Sequence, residues 1–133
     1  MSVPVVLFAC VHNSGRSVAA RVLAEQQADG AVEARSAGSE PADSVNPMVA
    51  AVLEERGLSV AAESPTRLDA DVVSEADVVV TMGCGETCPI FPGKRYEDWP
   101  VEDPAGKDLE TARRVVAEID ERVRALLASL TRP

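Results

Sequence analysis

The chain has 133 residues, of which 46% are hydrophobic, and no stretch rich in Pro, Ser or Gly divides it, so we expect one domain spanning residues 1–133. Lys and Arg number 13 against 22 Asp and Glu, a net charge of -9 without any basic cluster, which argues against nucleic acid and anionic membranes as partners. The odd number of three cysteines does not suit a secreted disulfide framework, and no segment resembles a membrane span or a secretory signal, so we predict a cytoplasmic protein.

The first half of the chain is predicted to alternate strands and helices. Val3–Ala9 is almost continuously apolar, which is typical of a strand buried on both faces of a parallel sheet. An Ala-rich helix follows it and ends at Asp29, and a weaker strand is predicted over 31–37. The next helix begins at Asn46-Pro47, with Asn as the cap and Pro at the first helical position, and Gly57 ends it.

The second half continues the alternation. A short helix over Leu68–Ser74 precedes Asp77–Thr81, the second clearly buried strand. Glycines and prolines interrupt Met82–Gly93, which we expect to be irregular; Arg95–Trp99 is predicted as the last strand, and Asp108 caps a long amphipathic helix. This order predicts an α/β fold: an open twisted parallel sheet of about four strands, with helices on both faces and ligands at the carboxyl ends of the strands.

Between the first strand and the first helix lies a compact polar loop, Cys10-Val-His-Asn-Ser-Gly-Arg-Ser17. Its backbone N–H groups are expected to converge at the helix N-terminus, where unpaired donors and the positive end of the helix dipole attract an oxyanion. The same field, together with the guanidinium of Arg16, favours the thiolate form of Cys10. We therefore interpret the loop as an anion site with a nucleophile at its floor. The predicted oxyanion-binding residues are Val11, His12, Asn13, Ser14, Gly15, Arg16 and Ser17.

Individual residues of this loop have predicted structural roles. Asn13 and Gly15 are residue types that can adopt special backbone angles. Asn13 and Ser17 are expected to hold the loop open through hydrogen bonds from side chain to backbone. His12, the only histidine, is expected to brace the loop rather than contact the anion.

The loop resembles the phosphate loop of the low-molecular-weight protein tyrosine phosphatase family, and Asp103-Pro104 resembles the general-acid motif of that family. The later stretch from Val80 to Pro92, followed by Trp99 and Asp103-Pro-Ala-Gly-Lys107, is more similar to the arsenate reductases that share this fold. The resemblance implies the phosphatase-like fold. In the arsenate reductase branch it implies Cys10 as nucleophile, Arg16 as oxyanion clamp, Asp103 as acid, and Cys84 and Cys88 as recycling thiols.

For arsenate, these roles imply a Cys10–arsenic adduct that a second thiol resolves with release of arsenite. No bound cofactor and no metal are predicted. Electrons would come from an external thiol, either thioredoxin acting through Cys84 and Cys88, or mycothiol with mycoredoxin. Phosphate and sulfate are the other tetrahedral anions expected to bind. The alternative function is hydrolysis of phosphate monoesters by a phosphatase of this family, but the chain has few aromatic residues to recognise a phosphotyrosine.

Other interpretations of the same residues remain open at this point. Cys84 and Cys88 could be unreactive thiols, or could join Cys10 and His12 in a zinc site. Asp103 could be an ordinary turn residue before proline. A non-catalytic anion sensor would keep the loop without needing Asp103 or the later cysteines. Gly15 stands where many relatives carry a second cysteine, and this difference is expected to cost little.

Overall fold

A single parallel sheet organises the protein, for which we obtained a computed structural model describing residues 3–60, 63–83 and 94–131. Its strands are β1 (Val5–Cys10), β2 (Glu33–Gly38), β3 (Val78–Thr81) and β4 (Arg95–Asp98), in the order β2-β1-β3-β4. The prediction of an open parallel sheet of about four strands is confirmed. The first strand extends one residue further than predicted, so Cys10 is its last residue.

Among the described residues, three helices lie between strands, α1 (Arg16–Ala28), α2 (Pro47–Glu55) and α3 (Ala70–Ser74), and α4 (Leu109–Thr131) follows β4. The predicted start of α2 is confirmed, because the Asn46 side chain accepts hydrogen bonds from the backbone N–H groups of Met48 and Val49. The side chain of Asp108 likewise accepts from the N–H of Thr111 at the start of α4. In the described residues, no helix is long and apolar enough to cross a membrane.

The sheet has helices on both faces, as predicted. Side chains alternate along a strand, so Val6 and Phe8 of β1 enter the larger core beneath α1, α2 and α4. Leu7 and Ala9 point to the opposite face, where α3 covers a smaller core. Phe8 is fully buried and its ring lies 5.8 Å from that of Trp99, which ties the central strand to the segment after β4.

An ionic cluster joins the three helices on the larger face. Asp120 of α4 is 8% exposed and accepts hydrogen bonds from Gln27 of α1, Arg56 at the end of α2, and Arg124. Burial raises the pKa of Asp120, but the hydrogen bonds from Arg124, Gln27 and Arg56 outweigh burial and lower the pKa below its ordinary value. The carboxylate is therefore stabilised in its charged form and holds α1 in place.

The topology brings several chain segments to the carboxyl edge of the sheet. The N–H of Met82 donates to the carbonyl of Ala9, and the N–H of Trp99 donates to that of Thr81, so the ends of β1, β3 and β4 lie side by side. Cys10 therefore lies at the centre of the edge, as expected for a ligand site in an open parallel sheet.

Candidate active site

The loop from Cys10 to Ser17, which we call the anion loop, is held by hydrogen bonds on its outer side. The carbonyls of Cys10, Val11, His12 and Ser14 accept hydrogen bonds from N–H groups of Ser39, Glu40, Ala42 and Asn46, at distances from 2.7 to 3.3 Å. All four donors belong to one segment, residues 39–46, which wraps around the loop. Because the carbonyls face outward, the N–H groups of the loop are expected to face inward, as in an anion-binding nest.

A buried side-chain network supports the inside of the loop. Asn13 is fully buried with φ 48°, a left-handed conformation that Asn tolerates. Its Nδ2 donates to Ser17 Oγ at 2.8 Å, and its Oδ1 accepts from the N–H of Thr66 at 2.8 Å. Ser17 Oγ lies 3.0 Å from Cys10 Sγ. Asn13 thus makes the expected backbone bond, whereas the expectation for Ser17 is wrong, since Ser17 contacts two side chains instead.

His12 braces the loop on its exposed side. Its Nδ1 donates to the carbonyl oxygen of Glu40 at 3.0 Å, which is the bracing contact expected from the sequence. A carbonyl oxygen can only accept, so Nδ1 carries the proton in this contact.

The Arg16 guanidinium lies at the junction of three segments and is only 7% exposed. Its Nη1 donates to the carbonyl of Val101 at 3.1 Å, and its Nη2 lies 3.5 Å from Oδ2 of Asp103. The Asp103 side chain is 49% exposed and also accepts from the N–H of Ala105, so it is both a turn residue and a partner of Arg16. Residues 16 and 103 therefore meet, as the roles of clamp and acid implied by the resemblance require.

A small cavity of ≈ 20 Å³ lies where these groups converge. It is lined by Cys10, His12, Ser14, Gly15, Arg16, Asn46, Asp103 and Ala105. Its lining includes no Phe, Tyr or Trp from the part of the chain that the structure describes. A larger cavity, ≈ 540 Å³, lies along the outer edge of β2 between charged side chains and is not lined by Cys10.

Gly15 does take a special backbone angle, although not a left-handed one. Its φ of -129° and ψ of -85° lie outside the α and β regions, and it caps α1 without a side-chain hydrogen bond. A Cβ atom here would lie 3.6 Å from Val49 and 3.7 Å from Pro104, which are ordinary contacts. There is therefore room for a Cβ atom at position 15, and the small cost expected for this difference from relatives stays a prediction.

Two glycines that contact the anion site were missed by the sequence analysis. A Cβ atom at Gly38, the last residue of β2, would lie 2.6 Å from the carbonyl oxygen of Val11 and 2.8 Å from the N–H nitrogen of Asn13. At Gly83, just after β3, a Cβ atom would lie 2.1 Å from Nη1 of Arg16. Their one shared sequence signal is a glycine at the carboxyl end of a predicted strand, which does not say what the glycine contacts.

The remaining predicted site residues, Cys84 and Cys88, lie outside the described residues, as does Phe91. Their roles therefore stay predictions, and two of the four ligands of the alternative zinc site lie there too. Within residues 3–60, 63–83 and 94–131, no group of three or more His, Cys, Asp or Glu side chains is arranged to hold a metal ion.

Comparison with known proteins matches the chain to relatives over most of its length. The glutaredoxin arsenate reductase of Synechocystis sp. is 33% identical over 129 residues, which is 95% of this chain and 98% of that protein. The thioredoxin-dependent arsenate reductase of Corynebacterium glutamicum superimposes with a TM-score of 0.84 and 44% identity, covering 96% of this chain but only 62% of the other. An arsenate reductase from Archaeoglobus fulgidus gives a TM-score of 0.79 and 42% identity, covering 92% and 98% of the two chains.

The family assignment follows from the whole length of the chain rather than from the anion loop alone. The family model for low molecular weight phosphotyrosine protein phosphatase matches residues 5–133. The match includes the anion loop, all four strands and the long C-terminal helix. The resemblance predicted from Cys10–Ser17 and Asp103-Pro104 is thereby confirmed: the chain belongs to the low molecular weight phosphotyrosine protein phosphatase family.

Proposed function

We propose that this chain is an arsenate reductase, which forms a Cys10–arsenic adduct and is recycled by thiol–disulfide exchange. The observation that carries the proposal is the small cavity in which Cys10, Arg16 and Asp103 meet. The relatives named above as arsenate reductases match this chain over nearly its whole length and support the choice of arsenate. Phosphate and sulfate have the same tetrahedral shape, and we expect them to compete for the cavity.

Binding would use the inward N–H groups of the anion loop and the planar fork of Arg16. The outward carbonyls of the loop are already bonded to residues 39–46, so the loop is held in shape before an anion arrives. The hydrogen bond from Arg16 to the Val101 carbonyl likewise orients the guanidinium in advance. Donors that are positioned beforehand need no reorganisation when charge develops in the transition state.

In the first chemical step, the Cys10 thiolate attacks arsenic and forms a sulfur–arsenic bond. Ser17 Oγ, at 3.0 Å from the sulfur, would donate a hydrogen bond to the thiolate. One arsenic–oxygen bond breaks, and Asp103 in its protonated form supplies the proton that lets this oxygen leave as water. Asp103 faces Arg16 from the open side of the cavity, which suits the delivery of a proton to a leaving oxygen.

In the second step, another thiol attacks the Cys10 sulfur and forms a disulfide. The sulfur–arsenic bond breaks with its electron pair on arsenic, so As(V) becomes As(III) and arsenite leaves while two thiols are oxidised. We assign Cys84 as this second thiol and Cys88 as the thiol that passes the disulfide onward. Gly83, which directly precedes Cys84 in sequence, lies against Arg16, and this proximity supports the assignment.

An external thiol then reduces the disulfide, without any bound cofactor. The relatives are named for two different reductants, thioredoxin in C. glutamicum and glutaredoxin in Synechocystis. We propose thioredoxin for this chain, with mycothiol and mycoredoxin as the competing system. Free thiols persist in a reducing compartment, so we also propose a cytoplasmic location. Residues 1–133 are proposed to form one domain, because both cores pack against the same sheet.

The test measures arsenite released from arsenate by the wild type and by Cys10→Ser, Cys84→Ser and Cys88→Ser. Each protein is assayed with thioredoxin, thioredoxin reductase and NADPH, with glutaredoxin and glutathione, and with mycothiol and mycoredoxin. Cys10→Ser should abolish release in every system, because an alcohol at neutral pH is a far weaker nucleophile than a thiolate. Loss of thioredoxin-linked turnover in Cys84→Ser and Cys88→Ser supports the internal relay.

Two outcomes would contradict these assignments. Full turnover of both late cysteine variants with mycothiol would show that Cys84 and Cys88 are dispensable. No arsenite with any reductant, together with hydrolysis of p-nitrophenyl phosphate in the absence of thiols, would identify a phosphatase instead. The lining of the cavity, which has no large aromatic side chain among the described residues, favours arsenate over an aryl phosphate.

A further inference from the structure

We infer that Gly83 is a positioning residue for the oxyanion clamp: the absence of a side chain at position 83 lets the Arg16 guanidinium occupy its place beside the cavity. The inference rests on the proposed role of Arg16 in anion binding. It concerns the binding of any tetrahedral anion, so it holds for a reductase and for a phosphatase alike.

Three contacts enclose the guanidinium. Val101 accepts its Nη1 hydrogen bond at 3.1 Å, and the Asp103 carboxylate lies 3.5 Å from Nη2. Gly83 closes the third side, since a Cβ atom there would lie 2.1 Å from Nη1, 3.1 Å from Cζ and 3.4 Å from Nη2. Carbon and nitrogen atoms that are not bonded to each other cannot approach to 2.1 Å. Any residue other than glycine at position 83 therefore displaces Arg16.

The kind of atom that Gly83 contacts decides what such a substitution does. At Gly38 a new Cβ atom would meet backbone atoms of the anion loop, so the fold itself must shift. At Gly83 it would meet the far end of a long, rotatable side chain, which can move aside at the cost of its contacts with Val101 and Asp103. The protein can therefore fold with a residue at position 83, but the guanidinium then leaves the place where its fork would bind an oxyanion.

Backbone strain has to be separated from this effect, because Gly83 has φ +75°. Gly57, at the end of α2, provides the matched control: its φ is +81°, and a Cβ atom there meets nothing within 4 Å. Gly57→Ala and Gly83→Ala share the cost of placing alanine in the left-handed region. Only Gly83→Ala also displaces Arg16.

The experiment measures the dissociation constant for inorganic phosphate by calorimetry and the thermal midpoint of unfolding without phosphate. We expect both alanine variants to lower the thermal midpoint. Gly83→Ala should raise the phosphate dissociation constant by at least about tenfold, because a charge-assisted bidentate contact is lost. Gly57→Ala should bind phosphate like the wild type.

A double-mutant cycle with Arg16→Lys tests whether Gly83 acts through Arg16. Lysine has no Nη atoms to clash, so adding Gly83→Ala to Arg16→Lys should change the phosphate affinity by less than about twofold. An equal loss in both backgrounds, or wild-type affinity in Gly83→Ala, would overturn the inference. If Gly83→Ala fails to fold, Arg16→Lys should restore folding, and failure of that rescue would also overturn it.

The cycle separates this inference from the proposed function. Unchanged phosphate binding in Arg16→Lys alone would remove the clamp role of Arg16 and thus the proposed anion site. Weakened binding in Arg16→Lys with no effect of Gly83→Ala would leave the proposed site intact and remove only the role of Gly83.

Discussion

The two walls of the candidate cavity differ in how firmly they are held. One wall is the anion loop, in which Cys10 is 2% exposed, the supporting side chains of Asn13 and Ser17 are fully buried, and the outer carbonyls are bonded to residues 39–46. On the other wall, the Asp103 side chain is 49% exposed and contacts Arg16 at 3.5 Å. The first wall, the loop wall, is already formed without a ligand. The second, the open wall, is accessible to solvent.

This difference fits the two tasks that the proposed function assigns to the site. An oxyanion is stabilised most by donors that do not reorganise, which requires a rigid, buried loop. A proton donor must exchange protons with water between turnovers, and an incoming thiol needs access to the Cys10 sulfur. We therefore expect substitutions on the loop wall to change stability and anion affinity, and substitutions on the open wall to change turnover.

Asn13→Ala should destabilise the loop wall. It removes the hydrogen bonds to Thr66 and Ser17 and places alanine at φ 48°, so we expect a loss of about 3 kcal/mol in the free energy of unfolding. Urea denaturation measures this loss. Asn13→Gly is the control, because it keeps the backbone angle without strain and isolates the hydrogen bonds. A stability like that of the wild type in both variants would show that the network does not hold the loop.

Asp103→Asn, on the open wall, should lower turnover without destabilising the loop wall. We expect kcat to fall about 100-fold, which is about 2.7 kcal/mol in activation free energy, while the free energy of unfolding changes by less than about 0.5 kcal/mol. Steady-state arsenite release measures kcat. The neighbouring exposed carboxylate offers a matched control, since Glu102 pairs with Arg114 and does not line the cavity. Equal losses in Asp103→Asn and Glu102→Gln would argue against a specific acid.

Gly38→Ala should distort the loop wall from β2. The new Cβ atom would lie 2.6 Å from the Val11 carbonyl oxygen, so the backbone must shift, at a cost of about 2 kcal/mol in stability. Gly15→Ala is the control for stability, because its Cβ atom would lie no closer than 3.6 Å to another side chain. Urea midpoints that are equal for the two variants would contradict the close approach at Gly38.

Asp120→Asn should weaken the contacts that Asp120 of α4 makes with α1 and with the end of α2. At pH 7 we expect a loss of about 1.5 kcal/mol in the free energy of unfolding, because charged hydrogen bonds to Arg56 and Arg124 are lost. The pKa of Asp120 is lowered in the folded state, so its stabilisation is present above the unfolded-state pKa near 4 and disappears as the pH falls through the folded value.

The difference in the free energy of unfolding between the wild type and Asp120→Asn, measured by urea denaturation, should therefore shrink below about pH 4. A difference that stays constant to lower pH would show that the carboxylate charge is not the source of the stability.

Much of the fold could be predicted because its signals are local. The continuous apolar run of β1, the Asn46-Pro47 start of α2 and the Asp108 cap each lie within a few residues of the structure they determine. Cys10, Arg16 and Asp103 were identifiable from their place beside a strand or a turn. The bracing contact of His12 was also expected, although its partner Glu40 was not.

What sequence reasoning missed depends on contacts between distant segments. Asn13 and Gly15 both take unusual backbone angles, as their residue types allow, but the sequence did not say that only Asn13 is left-handed. Thr66 is 53 residues from Asn13, and Val101 is 85 residues from Arg16. Backbone groups such as these leave no trace in residue identity, because every residue type carries them.

By itself, the sequence determined the alternation of strands and helices, the anion loop and Cys10 as the candidate nucleophile, because strand hydrophobicity, helix caps and side-chain chemistry are properties of local residues. Only the tertiary structure decided that Asp103 faces Arg16, that residues 39–46 bind the outside of the loop, and that Gly38 and Gly83 are needed for close approach. The physical reason is that close packing at the edge of a parallel sheet joins the ends of strands that are far apart in the chain.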